Sequence, residues 1–303
     1  MSKMRVEIIG LKLPLIRPGD NLIDLIVEAA NTQAGGFRDG DILVITSKIV
    51  SIAEGYILDL NSIKPSKRAM KIARKLHMDP RFIQLILDLS DDILFVIPFR
   101  ELVERGIVDL RKITENPRNA KEAVERIPYV FVVSRGKQIY SDASIDFSNS
   151  PPNKVTYLPK NPDRIARKIR EKIRQKTGKD IAVIISDTEI MFPYGSLDFA
   201  RGASGICVVS KNFGAPDLFG KPKFGGVDFI VHEIAAAAAL VMGQTNEKVP
   251  AVIIRGLEYE VSDEGVGSVH LDSQRLRRAI RATLLATIKT IGIRELLRKL
   301  LLT

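Results

Sequence analysis

The sequence contains no tryptophan, three histidines and one cysteine among its 303 residues. A single cysteine, Cys207, cannot form an internal disulfide, which is typical of a protein from a reducing compartment. It lies in Gly-Ile-Cys-Val-Val, the pattern of a buried strand, so we expect an inert core thiol. No stretch approaches 18 uninterrupted apolar residues, and the N-terminus lacks an apolar signal core. We therefore expect a cytoplasmic protein without a membrane span.

Two common site motifs are also missing. His232-Glu233 begins like the helix of a zinc protease, but position 236 is alanine, so the second histidine is absent. We therefore expect Glu233 to make a buried polar contact, or to support the site residues without contacting a ligand itself. No G-x-x-x-x-G-K-[ST] stretch occurs, so nucleotide binding would need a scaffold other than the P-loop.

The chain carries a formal net charge of +10. Much of the excess lies in residues 64–75, 164–179 and 275–298, where it alternates with apolar residues at helical spacing. This pattern predicts solvated helix faces, and we expect no nucleic-acid partner. Binding to nucleic acid stays a third hypothesis, motivated by the charge alone, and it should weaken steeply with salt.

The hydrophobic pattern predicts a mixed α/β fold. The continuous apolar run at 42–46 predicts a strand that is covered on both faces, and the run at 181–186 predicts a buried strand. A further strand is predicted at 249–254. An entry strand is predicted at 6–15, a strand at 93–97 and a hairpin at 129–134 and 138–141. Helices are predicted at 20–32, 66–77, 80–88, 162–176 and 230–242, with the last one central because it is almost entirely apolar.

We divide the chain into a main domain at 4–270 and a C-terminal amphipathic helical extension at 271–303. The main domain contains an inserted helical excursion near 99–127, and the stretch 192–225 is predicted to be a substrate loop because it is rich in Gly and Pro. The extension is predicted to break at Gly292. Its apolar stripe is more typical of core or dimer packing than of a membrane surface.

Acidic and hydroxyl side chains follow two apolar segments. Ile-Ile-Ser leads into Asp187-Thr188, and Asp146 lies in Ser-Ile-Asp-Phe-Ser-Asn. Carboxylates at two strand ends can share a hard cation such as Mg²⁺, which nucleotide chemistry needs. Two structural alternatives remain open: Asp146 could form an Asx turn, and Asp187-Thr188 could cap a helix.

Six short motifs occur in a characteristic order along residues 5–260. They are Gly10–Leu15, Thr46–Ser51 with Ala53-Glu54-Gly55, Ser144–Asp146, Ser186–Thr188, Glu233–Ala235 leading to Met242-Gly243, and Pro250–Leu257. Together they resemble the coenzyme F420 gamma-glutamyl ligase family.

The resemblance implies a GTP-dependent ligase with the fold of that family, which is mixed α/β. It implies that a carboxylic acid acceptor, F420-0 in the family, is activated as an acyl phosphate and attacked by the amine of L-glutamate. It further implies Mg or Mn, GTP as co-substrate, and a homodimer.

The resemblance also implies site residues, although it assigns no catalytic side chain. The implied metal ligands are Asp146, Asp187, Thr188 and Gln244. The implied nucleotide contacts are Ser47, Lys48, Asn149, Met242, Gly243, Gln244 and Thr245.

Three places depart from the family pattern. Ile52 stands where the family commonly has Lys, and Asp142-Ala143-Ser144 stands where the family has Asn-Ala-Gly. After Asp-Thr the family continues with Gly-Arg and further arginines, whereas this chain has Glu189-Ile190-Met191 followed by Phe-Pro-Tyr-Gly, and Arg201 is the nearest guanidinium. Apolar side chains cannot replace bidentate arginine contacts to phosphate. We therefore expect an altered acceptor, with a catalytically inactive nucleotide- or deazaflavin-binding paralogue as the alternative.

Overall fold

The computed structural model describes residues 5–191 and 195–301. Its central sheet has five strands, in the spatial order β1 (Glu7–Leu11), β11 (Ala251–Arg255), β2 (Ile42–Thr46), β9 (Ala182–Ile190) and β10 (Ser196–Ser204). Only the β2–β9 pair is parallel, and the other neighbours are antiparallel. The central sheet thus combines one parallel and three antiparallel pairs. Together with the helices it gives the mixed α/β fold that the sequence predicts.

Two smaller sheets lie beside the central one. The first contains β3 (Ile57–Asp59), β8 (Lys154–Tyr157) and β7 (Ile145–Asp146), in that order. The second contains β4 (Asp92–Ile97), β5 (Val130–Arg135) and β6 (Gln138–Ser141), and its β5–β6 pair is the predicted hairpin.

Ten α-helices are described between residues 5 and 301. They are α1 (Leu22–Ala34), α2 (Ser47–Ala53), α3 (Lys67–Leu76), α4 (Pro80–Leu89), α5 (Phe99–Glu104), α6 (Pro117–Arg126), α7 (Pro162–Thr177), α8 (Ile230–Met242), α9 (Ser273–Ile291) and α10 (Ile293–Leu301). Side chains cap several N-termini: Asn21, Ser66 and Asn161 each accept a backbone N–H from the first turn. The excursion near 99–127 is helical, as expected.

The central strands are covered on both faces. On β2, Leu43 and Ile45 face the larger core, which includes α1 and α7, whereas Ile42 and Val44 face the core under α8. All four are fully buried. This two-sided burial explains the continuous apolar runs, because no face of these strands meets water.

The structure corrects the predicted strand at 6–15 and the predicted loop at 192–225. The entry strand is shorter, since β1 ends at Leu11. The loop contains β10, which pairs with β9 from Ser196 to Ser204, while residues 192–194 lie outside the described part. Sequence patterning missed β10 because several of its polar side chains, Asp198 and Arg201 among them, are buried by pairing and packing.

β9 does not end at Asp187, as the sequence suggested. Its pairing with β2 stops at Ser186, opposite Thr46, but β9 continues to Ile190 along β10. Asp187 therefore lies just beyond the end of β2, where α2 begins at Ser47. The helix-cap alternative for Asp187 is thus wrong, because the residue lies inside a strand.

Three smaller expectations can be compared with the fold. Cys207 is buried, as expected, but it follows β10 instead of lying in a strand. Glu233 is exposed on α8, so the expected buried polar contact is wrong. The helical extension breaks at Gly292, yet α9 has no buried residue, so its apolar stripe is not part of the core.

A helix can cross a membrane only if it is long and apolar enough. Within residues 5–191 and 195–301, none combines the length and the apolar character that a bilayer-spanning helix needs.

Candidate active site

The predicted site residues converge on one cleft of about 330 Å³. It lies where β2 and β9 separate, beside the start of α2 and the loop that follows α8. Ten residues that the sequence singled out line it: Ser47, Lys48, Asp146, Asn149, Asp187, Thr188, Met242, Gly243, Gln244 and Thr245. Residues far apart in the chain thus meet at one place.

A second cavity, of about 310 Å³, adjoins the cleft and shares six of those residues. We call it the acidic cavity, because four carboxylates line it: Asp142, Asp146, Asp187 and Glu189. Lys48 is the one basic residue in this lining among the described residues. Lys48 pairs with Asp146, and Arg201, outside this lining, pairs with Glu189, whereas Asp187 has no cationic partner at hydrogen-bond distance among the described residues, so its carboxylate is the one that would gain most from a bound cation.

Asp187 lines both the cleft and the acidic cavity. Ser47 Oγ donates a hydrogen bond to its Oδ1 at 2.8 Å, and Ser144 Oγ donates to its Oδ2. Burial raises the pKa of Asp187, while these two hydroxyls and the charge of Arg201 oppose the shift. The carboxylate therefore lacks the water that would normally stabilise its charge, and a cation would supply that stabilisation.

The segment that carries Ser144 has an unusual backbone. Asp142, Ala143 and Ser144 have φ angles of 47°, 56° and 60°, the left-handed region that non-glycine residues seldom adopt. Such conformations cost of the order of 1–3 kcal/mol each and concentrate at functional sites. This strained turn aims Ser144 at Asp187 and brings Asp142 to the cavity.

Asp146 forms the predicted Asx-type turn and also lines the cleft. Its Oδ1 accepts the Ser148 N–H at 2.7 Å, and its other oxygen forms an ion pair with Lys48. Lys48 Nζ also donates to the Ser148 carbonyl at 2.6 Å. The turn and the site role are therefore compatible, since the turn is what orients the carboxylate.

The Thr188 side chain projects from the face of β9 opposite to that of Asp187, because side chains alternate along a strand. Its Oγ1 donates to Asp198 Oδ1 at 2.7 Å and lies 3.2 Å from Gln244 Oε1. Gln244 Nε2 also donates to Asp198 Oδ1, at 3.3 Å. Sequence reasoning missed Asp198, since it was placed in a loop; only its pairing opposite Thr188 reveals it.

The donor set fits a hard divalent cation. No group of three or more His, Cys, Asp or Glu side chains in the described part of the chain is arranged as a metal site. Asp146 and Asp187 would therefore need hydroxyl, amide or phosphate oxygens to complete a ligand sphere, and Thr188 and Gln244 lie in the same cavity. Oxygen-only ligation is what Mg²⁺ and Mn²⁺ prefer.

Sequence reasoning assigned no role to Asp142 or Glu189. Burial raises the pKa of each to about 7. Asp142 accepts the Phe131 N–H at 2.8 Å, whereas Glu189 forms a buried ion pair with Arg201. The available signal was their position: both stand where the sequence departs from the family motifs.

A third cavity, of about 540 Å³, lies on the other side of Glu189. We call it the aromatic cavity. It shares Ser141 and Glu189 with the acidic cavity. The rest of its lining consists of Phe95, Ile97, Val132, Ile139, Tyr140, Ile190, Met191, Phe199, Arg201, His232 and His270.

Known proteins match this chain over most of its length. The model of the family described as F420-0:Gamma-glutamyl ligase matches residues 10–256. A protein of Methanothermobacter thermautotrophicus named coenzyme F420:L-glutamate ligase is 36% identical over 260 residues, which is 84% of this chain and 91% of that protein. A protein of the same name from Methanopyrus kandleri is 34% identical over 262 residues, 86% of this chain and 90% of that protein.

Proposed function

The chain belongs to the F420-0:gamma-glutamyl ligase family and is a ligase, and we propose that it joins L-glutamate to a carboxylic acid acceptor in a GTP- and divalent-metal-dependent reaction. One observation supports the proposed need for a metal and a nucleotide: Asp146 and Asp187 both line the acidic cavity, which adjoins an open cleft. In this reaction, the acceptor carboxylate attacks the γ-phosphorus, GDP leaves, and the glutamate amine then displaces phosphate from the acyl phosphate.

The cleft is the proposed nucleotide site. Apolar side chains, including Leu13, Ile16 and Ile49, line part of it and suit a purine. Lys48 and the residues from Gly243 to Lys248 supply polar groups for the phosphates. Because phosphoryl transfer depends mainly on positioning and charge neutralisation, a site without a P-loop can serve it.

The proposed metal ligands are Asp146 and Asp187, with oxygens from Thr188 and Gln244. When bound, Mg²⁺ or Mn²⁺ would offset the repulsion between the acceptor carboxylate and the γ-phosphate. The protein's own part is to hold the reactants: Ser47 and Ser144 orient Asp187, and Lys48 orients Asp146. Holding the reactants in this way lowers the entropic cost of bringing them together.

Mass spectrometry can test the proposal. The protein is incubated with GTP, MnCl₂ and isotope-labelled L-glutamate, with F420-0 or one member of a panel of aromatic and aliphatic carboxylic acids. We expect a labelled amide product and one GDP for each amide bond formed. The matched control is the Asp146→Asn variant, which should give no product.

Calorimetry with a non-hydrolysable GTP analogue distinguishes the alternatives. Nucleotide binding without any amide product would contradict the ligase proposal and would support the inactive paralogue. Failure to bind GTP or ATP would contradict the assignment of the cleft.

We also propose that the protein is a homodimer, as the family resemblance implies. The exposed apolar residues of α9 and α10, including Leu284, Leu285, Ile293 and Leu297, offer a surface that a second copy could cover. Light scattering on the purified chain tests this point.

A further inference from the structure

The amide-forming step of the proposed reaction needs a group that accepts a proton. An α-amino group has a pKa of about 8 or more, so the amine of L-glutamate arrives mainly as an ammonium ion at neutral pH. An ammonium ion has no lone pair with which to attack the acyl phosphate. A carboxylate within hydrogen-bond reach of the amine can take up the proton, provided that one of its oxygens is free.

Three of the four carboxylates that line the acidic cavity have partners at both oxygens. These three are Asp146, Asp187 and Glu189. An incoming ammonium group would have to compete with a hydrogen bond or an ion pair at each of them. Asp146 contacts Ser148 and Lys48, Asp187 contacts Ser47 and Ser144, and Glu189 contacts Ser141 and Arg201.

Asp142 is the fourth carboxylate, and one of its two oxygens is free. Its Oδ1 accepts the Phe131 N–H at 2.8 Å. Its Oδ2 has no hydrogen-bond partner in the part of the chain that the structure describes. It is also not enclosed, since the enclosed side-chain atoms without a partner there belong to four other residues. Of the three cavities, Asp142 lines only the acidic one, so this oxygen can receive a ligand there.

The strained turn fixes where this oxygen lies. Arg135 anchors the turn, because its Nη1 donates to the Ala143 carbonyl at 3.2 Å. The same turn presents Ser144 to Asp187, so one segment carries both the free Oδ2 of Asp142 and a hydroxyl that orients a proposed metal ligand. The acidic cavity has the liquid volume of about ten water molecules, which is room for an amine beside a carboxyl group.

The surroundings of Asp142 make it a better proton acceptor than an exposed aspartate. Burial raises its pKa to about 7, the nearby charge of Glu189 adds to this rise, and the Phe131 N–H opposes it. A general base works best when its pKa lies near the pH at which it operates.

The elements that pack against the turn include α4, β5 and β6. The charged side chains of α4, Arg81 and Asp88, are engaged with Asp79 and Gln84. None of the ionisable groups on the neighbouring strands bonds to the Asp142 carboxylate in the described part of the chain, so an ammonium group would be its direct cationic partner. These groups are Arg135 on β5, Tyr140 on β6, Asp187 and Glu189 on β9, and Arg201 on β10.

We propose that Asp142 Oδ2 accepts a proton from the ammonium group of L-glutamate, so that the free amine attacks the acyl phosphate. The N–H bond breaks and an O–H bond forms on Asp142. The nitrogen lone pair then forms the C–N bond while the C–O bond to phosphate breaks. The phosphate leaves with that electron pair and takes up a second proton from the nitrogen, and Asp142 afterwards releases its proton to water. The proposal rests on the acyl phosphate of the proposed function.

The proposed role is specific to this chain. The family pattern has asparagine where Asp142 stands, and an amide does not take up a proton at neutral pH. The variant Asp142→Asn therefore removes the proton acceptor. Asparagine keeps an oxygen for the Phe131 N–H and tolerates the φ of 47°, so the variant should stay folded, which thermal unfolding checks.

Two nucleophiles test the proposal at neutral pH. The parent chain and Asp142→Asn are incubated with GTP, MnCl₂ and F420-0, or the panel acid that gives most product, and with either L-glutamate or hydroxylamine. Hydroxylamine is largely unprotonated at this pH, so it reports the acyl phosphate without needing a base. We expect the variant to form the glutamate amide about 100-fold more slowly and the hydroxamate within about threefold of the parent rate. The glutamate defect should shrink as the pH rises above the pKa of the amine.

The control is Asp263→Asn, at an exposed position outside the three cavities, which should match the parent chain with both nucleophiles. An equal loss with glutamate and hydroxylamine in Asp142→Asn, or no loss with either, would overturn the role of Asp142. Hydroxamate from the parent chain would still leave the ligase function standing in that case. If the parent chain forms neither product, the ligase function fails, and this proposal fails with it.

Discussion

At the scale of single residues, the clearest feature of the site is the partly buried carboxylate of Asp187. It accepts two serine hydroxyls, Ser47 and Ser144, and burial still raises its pKa. A raised pKa means that the ionised carboxylate disfavours folding above the unfolded pKa. The protein therefore retains Asp187 at a cost in stability, which is typical of a functional group.

We predict that Asp187→Asn loses Mn²⁺ affinity by at least tenfold while the fold stays intact. The amide removes the charge at nearly constant volume, so its melting temperature should equal or exceed that of the parent chain. Calorimetry with MnCl₂ and thermal unfolding measure the two effects. Asp263→Asn, at an exposed position outside the three cavities, is the control and should bind Mn²⁺ normally. An Asp187→Asn variant with undiminished affinity would remove Asp187 from the ligand set.

A pH dependence follows from His232. Burial lowers the pKa of His232 to about 4, below the ordinary 6.5. The unfolded chain therefore binds the proton first, and stability should fall as the pH drops from about 6.5 towards 4. Protonation also breaks the hydrogen bond that Nδ1 accepts from the Ala200 N–H.

Urea unfolding at several pH values between 4 and 7 measures this effect. The His232→Asn variant keeps an acceptor near the Ala200 N–H but cannot titrate, so its stability should fall less over this range. His270, whose pKa burial also lowers, accounts for part of the remaining slope. Equal slopes in the parent chain and the variant would contradict the prediction.

At the scale of elements, one carboxylate ties α7 to two other segments. Asp163, in the first turn of α7, accepts the Ala203 N–H of β10 at 2.9 Å. It also accepts the N–H groups of Val266 and Gly267 at 2.8 and 3.0 Å. Because β10 carries Asp198 and Arg201, this contact helps to fix the position of the strand that holds these two side chains.

We predict that Asp163→Ala destabilises the protein by about 2–3 kcal/mol, since three backbone N–H groups lose a charged acceptor together. The control is Glu54→Ala. Glu54 also ties α7 to another segment, through Lys168 at 3.0 Å, but at the surface. Solvent-exposed ion pairs contribute about 0–1 kcal/mol to the free energy of unfolding. Chemical denaturation compares the two variants, and similar losses would show that the Asp163 contact has no special importance.

At the scale of the whole molecule, positive charge is concentrated in the C-terminal extension. The last 33 residues hold eight Lys and Arg and two Asp and Glu, so they supply six of the ten net positive charges. α9 has no buried residue and reaches the rest of the chain through surface contacts such as Arg277 with Asp92, at 3.1 Å. The extension thus adds little to the core.

We predict that a chain ending at Asp272 stays folded, with a melting temperature within a few degrees of the full chain and unchanged GTP binding. Without the apolar surface of α9 and α10, it should be a monomer, whereas the full chain of 33.6 kDa should be a dimer. Light scattering and thermal unfolding measure both. A truncated chain that unfolds or aggregates would show that the extension is part of the fold, and one that remains dimeric would place the interface elsewhere.

The sequence predicted the elements whose pattern is set by burial. The runs at 42–46 and 181–186 are central strands because both their faces are covered, and helices α1, α3, α4, α7 and α8 lie close to the predicted ranges. The ordered motifs also determined the family, which the matches confirm. These features depend on local periodicity and on short residue strings, which a single sequence carries in full.

Only the tertiary structure decided how these parts meet. β10 was missed because pairing with β9 and packing bury polar residues that resemble a loop when read along the chain. Asp142, Glu189 and Asp198 are separated by 9 to 56 residues, so no local pattern relates them. A strained turn and strand β9 nevertheless bring Asp142 and Glu189 to one cavity, and pairing with β9 places Asp198 against Thr188 and Gln244. Burial and electrostatic environment are properties of that assembled arrangement, because they depend on neighbours that are distant in the chain.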